Sequence, residues 1–157
     1  MWRLGTGQIM NDEECIEMKK SINWSEDLLV NVHSIDHQHK ELYGSMNALL
    51  EAVHEKQPYE TIGSLLQAVR DHTTSHCEDE EALMLRFDYP AVEPQRKDHD
   101  YFSREILSME DDLSRGMLPS EKLVEDLVNL ADFFSVHIRK LDGPLGRFIN
   151  DRMADPV

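Results

Sequence analysis

Four of the eight histidines in this chain interrupt apolar stripes at facing positions, and the pattern has a chemical meaning. Along 35–49 the stripe runs Ile35, His39, Leu42, Met46, Leu49. Along 69–87 it runs Val69, Thr73, His76, Glu80, Leu83, Phe87. The third stripe is Gln95, His99, Phe102, Ile106, Met109, Leu113, and the fourth is Leu127, Leu130, Phe134, His137, Leu141. Steps of three and four keep residues on one face of a helix. Each of four helices is therefore expected to point a histidine inward, with Glu80 one turn from His76.

Burying four imidazoles and a carboxylate together is costly unless something compensates. A buried unpaired charge costs free energy or is neutralised by a shifted pKa. A cationic metal removes the difficulty, because neutral imidazole and ionised carboxylate are its natural ligands. A histidine and carboxylate set without thiolates suits iron or manganese better than structural zinc. His76 and Glu80, four residues apart, could serve one metal or span two. Each piece alone says little, since a single core histidine is usually satisfied by a backbone carbonyl; the convergence of four helices carries the reading.

The remaining histidines read as solvated or as neighbours of the site. His37 lies two residues from His39 and points about 160° away from it. His33 pairs with His37, His54 is expected near the surface, and His72, one turn before His76, is expected at the rim of the site. Cys15 and Cys77 are far apart in sequence and read as reduced thiols of a cytoplasmic protein, Cys77 being of interest for its neighbours. Trp24 reads as an anchor for the N-terminal arm.

The elements that would position these residues can be counted. Residues 1–33 show no sustained period and read as an arm that packs over something else. A first helix carries Ile35, Leu42, Met46, Leu49, Leu50 and Val53. Pro58 separates it from a second, with Ile62, Leu65, Leu66, Val69, Leu83, Met84 and Phe87, which Tyr89-Pro90 ends. A third carries Phe102, Ile106, Met109 and Leu113, with Gly116 as its C-cap. Pro119 and Ser120 start a fourth, carrying Leu123, Leu127, Leu130, Phe134 and Leu141. Gly143-Pro144 is expected to break it, and Leu145 to Met153 to form a short closing helix. Short connections and no strand-like alternation predict an all-α, antiparallel up-down four-helix bundle over residues 34–142, with 143–157 as a closing helix and tail.

Composition bounds the class. With 157 residues, 40% of them apolar and 30% charged, the chain suits one globular domain rather than two or a disordered segment. Its longest apolar runs, such as Ala48-Leu49-Leu50, are too short for a membrane span. The first residues lack a secretory core. A net charge of −15 repels phosphate backbones and anionic lipid heads, so neither nucleic acid nor a membrane surface is an expected partner.

At this point the chain resembles the bacterial hemerythrin domains, from Trp24 to Asp142. The matching segments are Trp24, Ile35-Asp36-His37-Gln38-His39-Lys40-Glu41-Leu42, His76-Cys77-Glu78-Asp79-Glu80-Glu81-Ala82-Leu83-Met84, Phe87-Asp88-Tyr89-Pro90, His99-Asp100-Tyr101-Phe102 and His137-Ile138-Arg139-Lys140-Leu141-Asp142. The resemblance implies a pair of non-haem iron ions, bridged by carboxylates and by an oxo, hydroxo or solvent oxygen. His39 and His76 would ligate one ion, His99 and His137 the other, and Glu80 and Asp142 would bridge them. Helical spacing does not explain Asp142, five residues after His137; the helix is expected to loosen or end there. One departure stands out. The family pattern has a histidine where this chain has Gln95, so the ion served by His99 and His137 would lack an imidazole. Gln95 would supply its amide oxygen, or water or an exogenous ligand would fill the position.

The implied function is binding or sensing of dioxygen or redox state, with small ligands such as azide or nitric oxide as further partners. Related bacterial domains are often attached to signalling outputs such as diguanylate cyclases or chemoreceptors, so any catalytic output would lie outside this chain. Two other readings compete, a stand-alone dioxygen carrier and a diiron oxidase or peroxidase. Gln95 disfavours the first. The ferritin-like form of the second needs Glu-x-x-His pairs on two helices, and Glu51-x-x-His54 is the only one, off the matching face. The zinc-protease His-Glu-x-x-His pattern is absent. A metal-free helical interaction module would leave the buried histidines unexplained.

Overall fold

The computed structural model describes residues 21–154 together with a short antiparallel pairing of Trp2–Arg3 with Ile9–Met10. Two residues per strand are too few to leave a period in the sequence, which is why the all-helical reading did not register them. The rest of the N-terminal 20 residues, Cys15 included, lies outside the described residues.

Five helices follow: α1 (His33–His54), α2 (Tyr59–Arg86), α3 (Val92–Ser114), α4 (Ser120–His137) and α5 (Gly143–Ala154). The first three stop in the same way. After each, one residue turns left-handed: Lys56 (φ 54°), Asp88 (φ 52°) and Gly116 (φ 65°). The next N–H then reaches back five residues, Gln57 to Ala52, Tyr89 to Met84 and Met117 to Asp112, each at 2.9 Å. These bonds satisfy carbonyls that the helix end would leave orphaned. Only one of the three left-handed positions uses glycine, so only Gly116 could be read from the sequence as a left-handed cap.

Helices α1 to α4 pack as a ring in which each touches the next and α4 returns to α1, an up-down bundle joined by short loops. Leu49, Leu50, Leu66, Val69, Ile106, Leu127 and Phe134 fill its core. His39 lies early in α1, His76 and Glu80 late in α2, His99 early in α3 and His137 at the end of α4. In an up-down bundle those positions share one end, while the opposite end stays apolar.

The chain corrects one expectation between α4 and α5. Gly143-Pro144 does not break the helix: residues Ile138–Asp142 form a π-helical turn, and the chain continues into α5. The Gly143 N–H donates to the Ile138 carbonyl, five residues back. Widening the turn lets the helix absorb Pro144, which has no N–H to offer.

Residues 21–32 and α5 close the polar end. Leu28 and Val30 are buried, and Asp36 accepts the Val30 N–H at 2.8 Å, fixing how the chain enters α1. Asn47 holds the Ile22 backbone from both sides at 2.7 Å. Trp24 packs edge-on to Tyr43, with centroids 5.4 Å apart. Gly146 sits directly against the Val30 backbone, where a side chain would collide with the carbonyl, and Asn150 donates to the Asn31 carbonyl at 2.9 Å.

Candidate metal centre

The turn geometry of each helix decides which side chains meet. His76 and Glu80 stack one turn apart on α2, with His76 Nε2 2.8 Å from Glu80 Oε2; His99 Nε2 lies 3.8 Å from the same oxygen. Asp142 puts one oxygen 3.1 Å from His39 Nε2 and the other 3.0 Å from His137 Nε2. A regular α-helix would turn a residue five positions after His137 away from the interior; the π-turn carries it back. The expectation that the helix loosens at Asp142 thus acquires a definite form.

Two donor groups result, His39, His76, Glu80 and Asp142, and Glu80, His99 and His137, and Glu80 is common to both. No member is more than 3% exposed, so bulk solvent does not reach them. The Nε2 atoms of all four histidines, both Glu80 oxygens and Asp142 Oδ2 are buried without a hydrogen-bond partner. They lie close together yet do not point at one another as donor and acceptor would. Lone pairs converging on a common point are what a bound cation needs and what a metal-free core avoids. The observed residues fit a cation-binding centre with two positions.

The electrostatics agree. Burial, together with the neighbouring His39, holds His76 down to about 3, so its imidazole is neutral and free to donate. Burial also lowers His99, opposed by Glu81. For His137 burial acts downward, but Asp142 and Asp98 outweigh it and the net shift is upward. Burial and the nearby Asp142 push Glu80 far up, whereas the imidazoles of His137 and His39 overcome burial and hold Asp142 far down. Two buried carboxylates in contact cannot both ionise without a positive charge between them. A cation would let them.

The outer ring nitrogens fix the tautomers. His99 Nδ1 lies 2.9 Å from Glu81, and His137 Nδ1 2.9 Å from Asp98. An ionised carboxylate only accepts, so Nδ1 carries the hydrogen and Nε2 faces the interior with its lone pair. His76 Nδ1 lies 3.3 Å from the Gln38 amide oxygen, and Gln38 in turn donates to Asp79 at 2.6 Å. Gln38, Glu81 and Asp98 were not singled out in the sequence. Their signal was adjacency: Glu81 follows Glu80 and Asp98 precedes His99, one helical step from the interior and so at a seam between helices.

Gln95 is buried and its amide nitrogen donates to Asp142 Oδ1 at 3.0 Å, while its oxygen has no partner. His72 is half-buried and belongs to neither donor group. Cys77 is buried, and burial with the carboxylates of Glu80 and Glu81 pushes its thiol well above the ordinary range, which keeps it protonated. His54, expected near the surface, is half-buried with Nε2 enclosed and unpartnered. His33 and His37 stack on each other, and the His37 ring is 65% exposed.

Aromatic rings floor the site. Phe134 lies with its centroid 5.3 Å from His39, 6.0 Å from His76 and 6.2 Å from His137, and Phe102 lies 5.2 Å from His137. They lie between the polar end and the leucine-rich core.

Comparison with known proteins follows the same residues. The family described as "Hemerythrin HHE cation binding domain" matches residues 30–148. A "Bacteriohemerythrin" of Pseudomonas paraeruginosa strain PA7 is 31% identical over 83 residues, covering 53% of this chain and 54% of the relative. A protein of the same name from Stenotrophomonas maltophilia strain R551-3 is 30% identical over 83 residues, with the same coverage. The match thus spans about half the length of these relatives. With the family match covering the whole bundle and both donor groups inside it, the chain belongs to the hemerythrin family, whose domain binds a non-haem diiron centre.

Proposed function

We propose that this chain binds dioxygen at two non-haem iron ions and reports redox state, with His39 and His76 holding one ion, His99 and His137 the other, and Glu80 and Asp142 spanning both. The carrying observation is the set of buried, unpartnered nitrogen and oxygen atoms that converge from four helices and the π-turn. When bound, the ions would supply the redox chemistry. The chain's residues hold the ligands in fixed tautomers, keep bulk water out through Phe134 and Phe102, and balance two buried carboxylates.

The sensor reading rests on Gln95. Its amide donates to Asp142 instead of offering a further imidazole, so one coordination position on that side is left for a small molecule such as azide or nitric oxide. A centre with fewer strong donors and an accessible position exchanges ligands and changes oxidation state readily, which suits a detector better than a store. The output, of diguanylate cyclase or chemoreceptor type, would lie outside this chain, and the work would be done in the cytoplasm. No helix among the described residues is long and apolar enough to cross a membrane.

Metal analysis combined with optical spectra of the oxidised and reduced protein tests the centre. Two irons per chain with ligand-to-metal charge-transfer bands are expected, and a single zinc would end the reading. Exposure of the reduced protein to air tests the sensor part: conversion to the oxidised spectrum within minutes supports it, and a reversible oxygenated form that lasts for hours overturns it.

A further inference from the structure

The four interior imidazoles are not backed alike. On the α3–α4 side, His99 Nδ1 and His137 Nδ1 each meet a carboxylate at 2.9 Å, from Glu81 and Asp98. On the α1–α2 side, His76 Nδ1 meets a neutral amide oxygen at 3.3 Å, and His39 Nδ1 is buried without a partner. Both carboxylates cross from a neighbouring helix, Glu81 from α2 to α3 and Asp98 from α3 to α4. The charged acceptors therefore fall on the side where Gln95 faces the spanning Asp142.

An anionic acceptor draws the Nδ1 hydrogen and makes the opposite nitrogen a stronger donor to a cation; a neutral acceptor does so less. We propose that Glu81 and Asp98 are positioning residues that strengthen His99 and His137 as ligands, so that the two halves of the centre are inequivalent and the charged backing of the α3–α4 half offsets the imidazole that Gln95 does not supply. This inference rests on the dinuclear reading above. Both side chains are partly exposed, 31% and 24%, and Glu81 also accepts from Arg96 at 3.3 Å.

The test is an anaerobic titration of the metal-free protein with ferrous ion against a chromophoric chelator. The parent is expected to take up two equivalents. Glu81→Gln and Asp98→Asn should each weaken one equivalent by about 10–100-fold and leave the other within about twofold. His99→Ala removes that half, and adding Asp98→Asn to it should leave the remaining equivalent unchanged. Glu81→Asp, which keeps the charge, should retain more affinity than Glu81→Gln, an order that a purely structural role does not require. Glu93→Gln removes the same charge from the same acidic rim without touching a histidine and should leave both equivalents intact. Equal weakening of both equivalents, no weakening, or the same loss in Glu93→Gln overturns the inference while the dinuclear reading stands. Uptake of fewer than two equivalents by the parent overturns both. Far-ultraviolet circular dichroism of each metal-free variant checks that the helices are kept.

Discussion

Single side chains carry much of the centre's pH behaviour. His76 is neutral in the folded, metal-free chain down to about 3, whereas in the unfolded chain it protonates near 6.5. The unfolded state therefore binds the extra proton first as pH falls. Stability from this group is whole above 6.5 and is lost between 6.5 and about 3, so the thermal midpoint of the metal-free protein should fall across that interval. Glu80 works in the opposite sense: its carboxyl is raised, so its contribution is present at low pH and is lost as pH rises past the ordinary carboxylate range. A bound cation should remove the Glu80 limb, because it favours the ionised carboxylate, and steepen the acid limb, because protons compete with it for the imidazoles; differential scanning with and without metal reads the difference. Gln95 gives a second prediction. Gln95→His should add a donor beside His99 and slow air oxidation of the reduced protein several-fold, followed by absorbance. The four histidines and Glu80 were legible in the sequence because each breaks an apolar stripe in phase. Their hydrogen-bond partners were not, because contacts across a helix seam leave no period within one helix.

Among elements, the π-turn is the one whose shape decides the site. Inserting one residue after Lys140, which is exposed within it, would place Asp142 one step further from His137 than the π-turn brings back, and should swing its carboxylate by about 100° out of the interior. The expected result is lost metal stoichiometry with most helical signal kept, read by metal analysis and circular dichroism. The contact between α5 and the segment before α1 gives another prediction. Gly146→Ala forces a methyl group against the Val30 carbonyl, and overpacking of this kind costs about 1–3 kcal/mol, measurable by denaturant unfolding. The bundle helices could be read from their apolar spacing and from Pro58, Gly116 and Pro119. The continuity through Gly143-Pro144 could not, because proline and glycine signal a stop unless the turn widens, and widening depends on what the buried Asp142 must reach.

At the scale of the whole molecule, the polar end is a fault in the core unless it is filled. Removing metal should therefore lower stability in a concentration-dependent way. Free cation at about 100 times its dissociation constant adds about 2.7 kcal/mol, so chelation should lower the thermal midpoint by several degrees. The acidic surface, with a net charge of −15, concentrates cations around the molecule and should make metal uptake faster at low salt. Sealing has a kinetic side as well. Because every donor residue is at most 3% exposed, a small ligand of the proposed centre would reach it only as the protein around it opens, and the contact of α5 with Val30 and Asn31 makes that junction the candidate lid. Arrival rates would then track the opening of that lid, and a thicker solvent would slow the response even where the chemistry beneath were instantaneous.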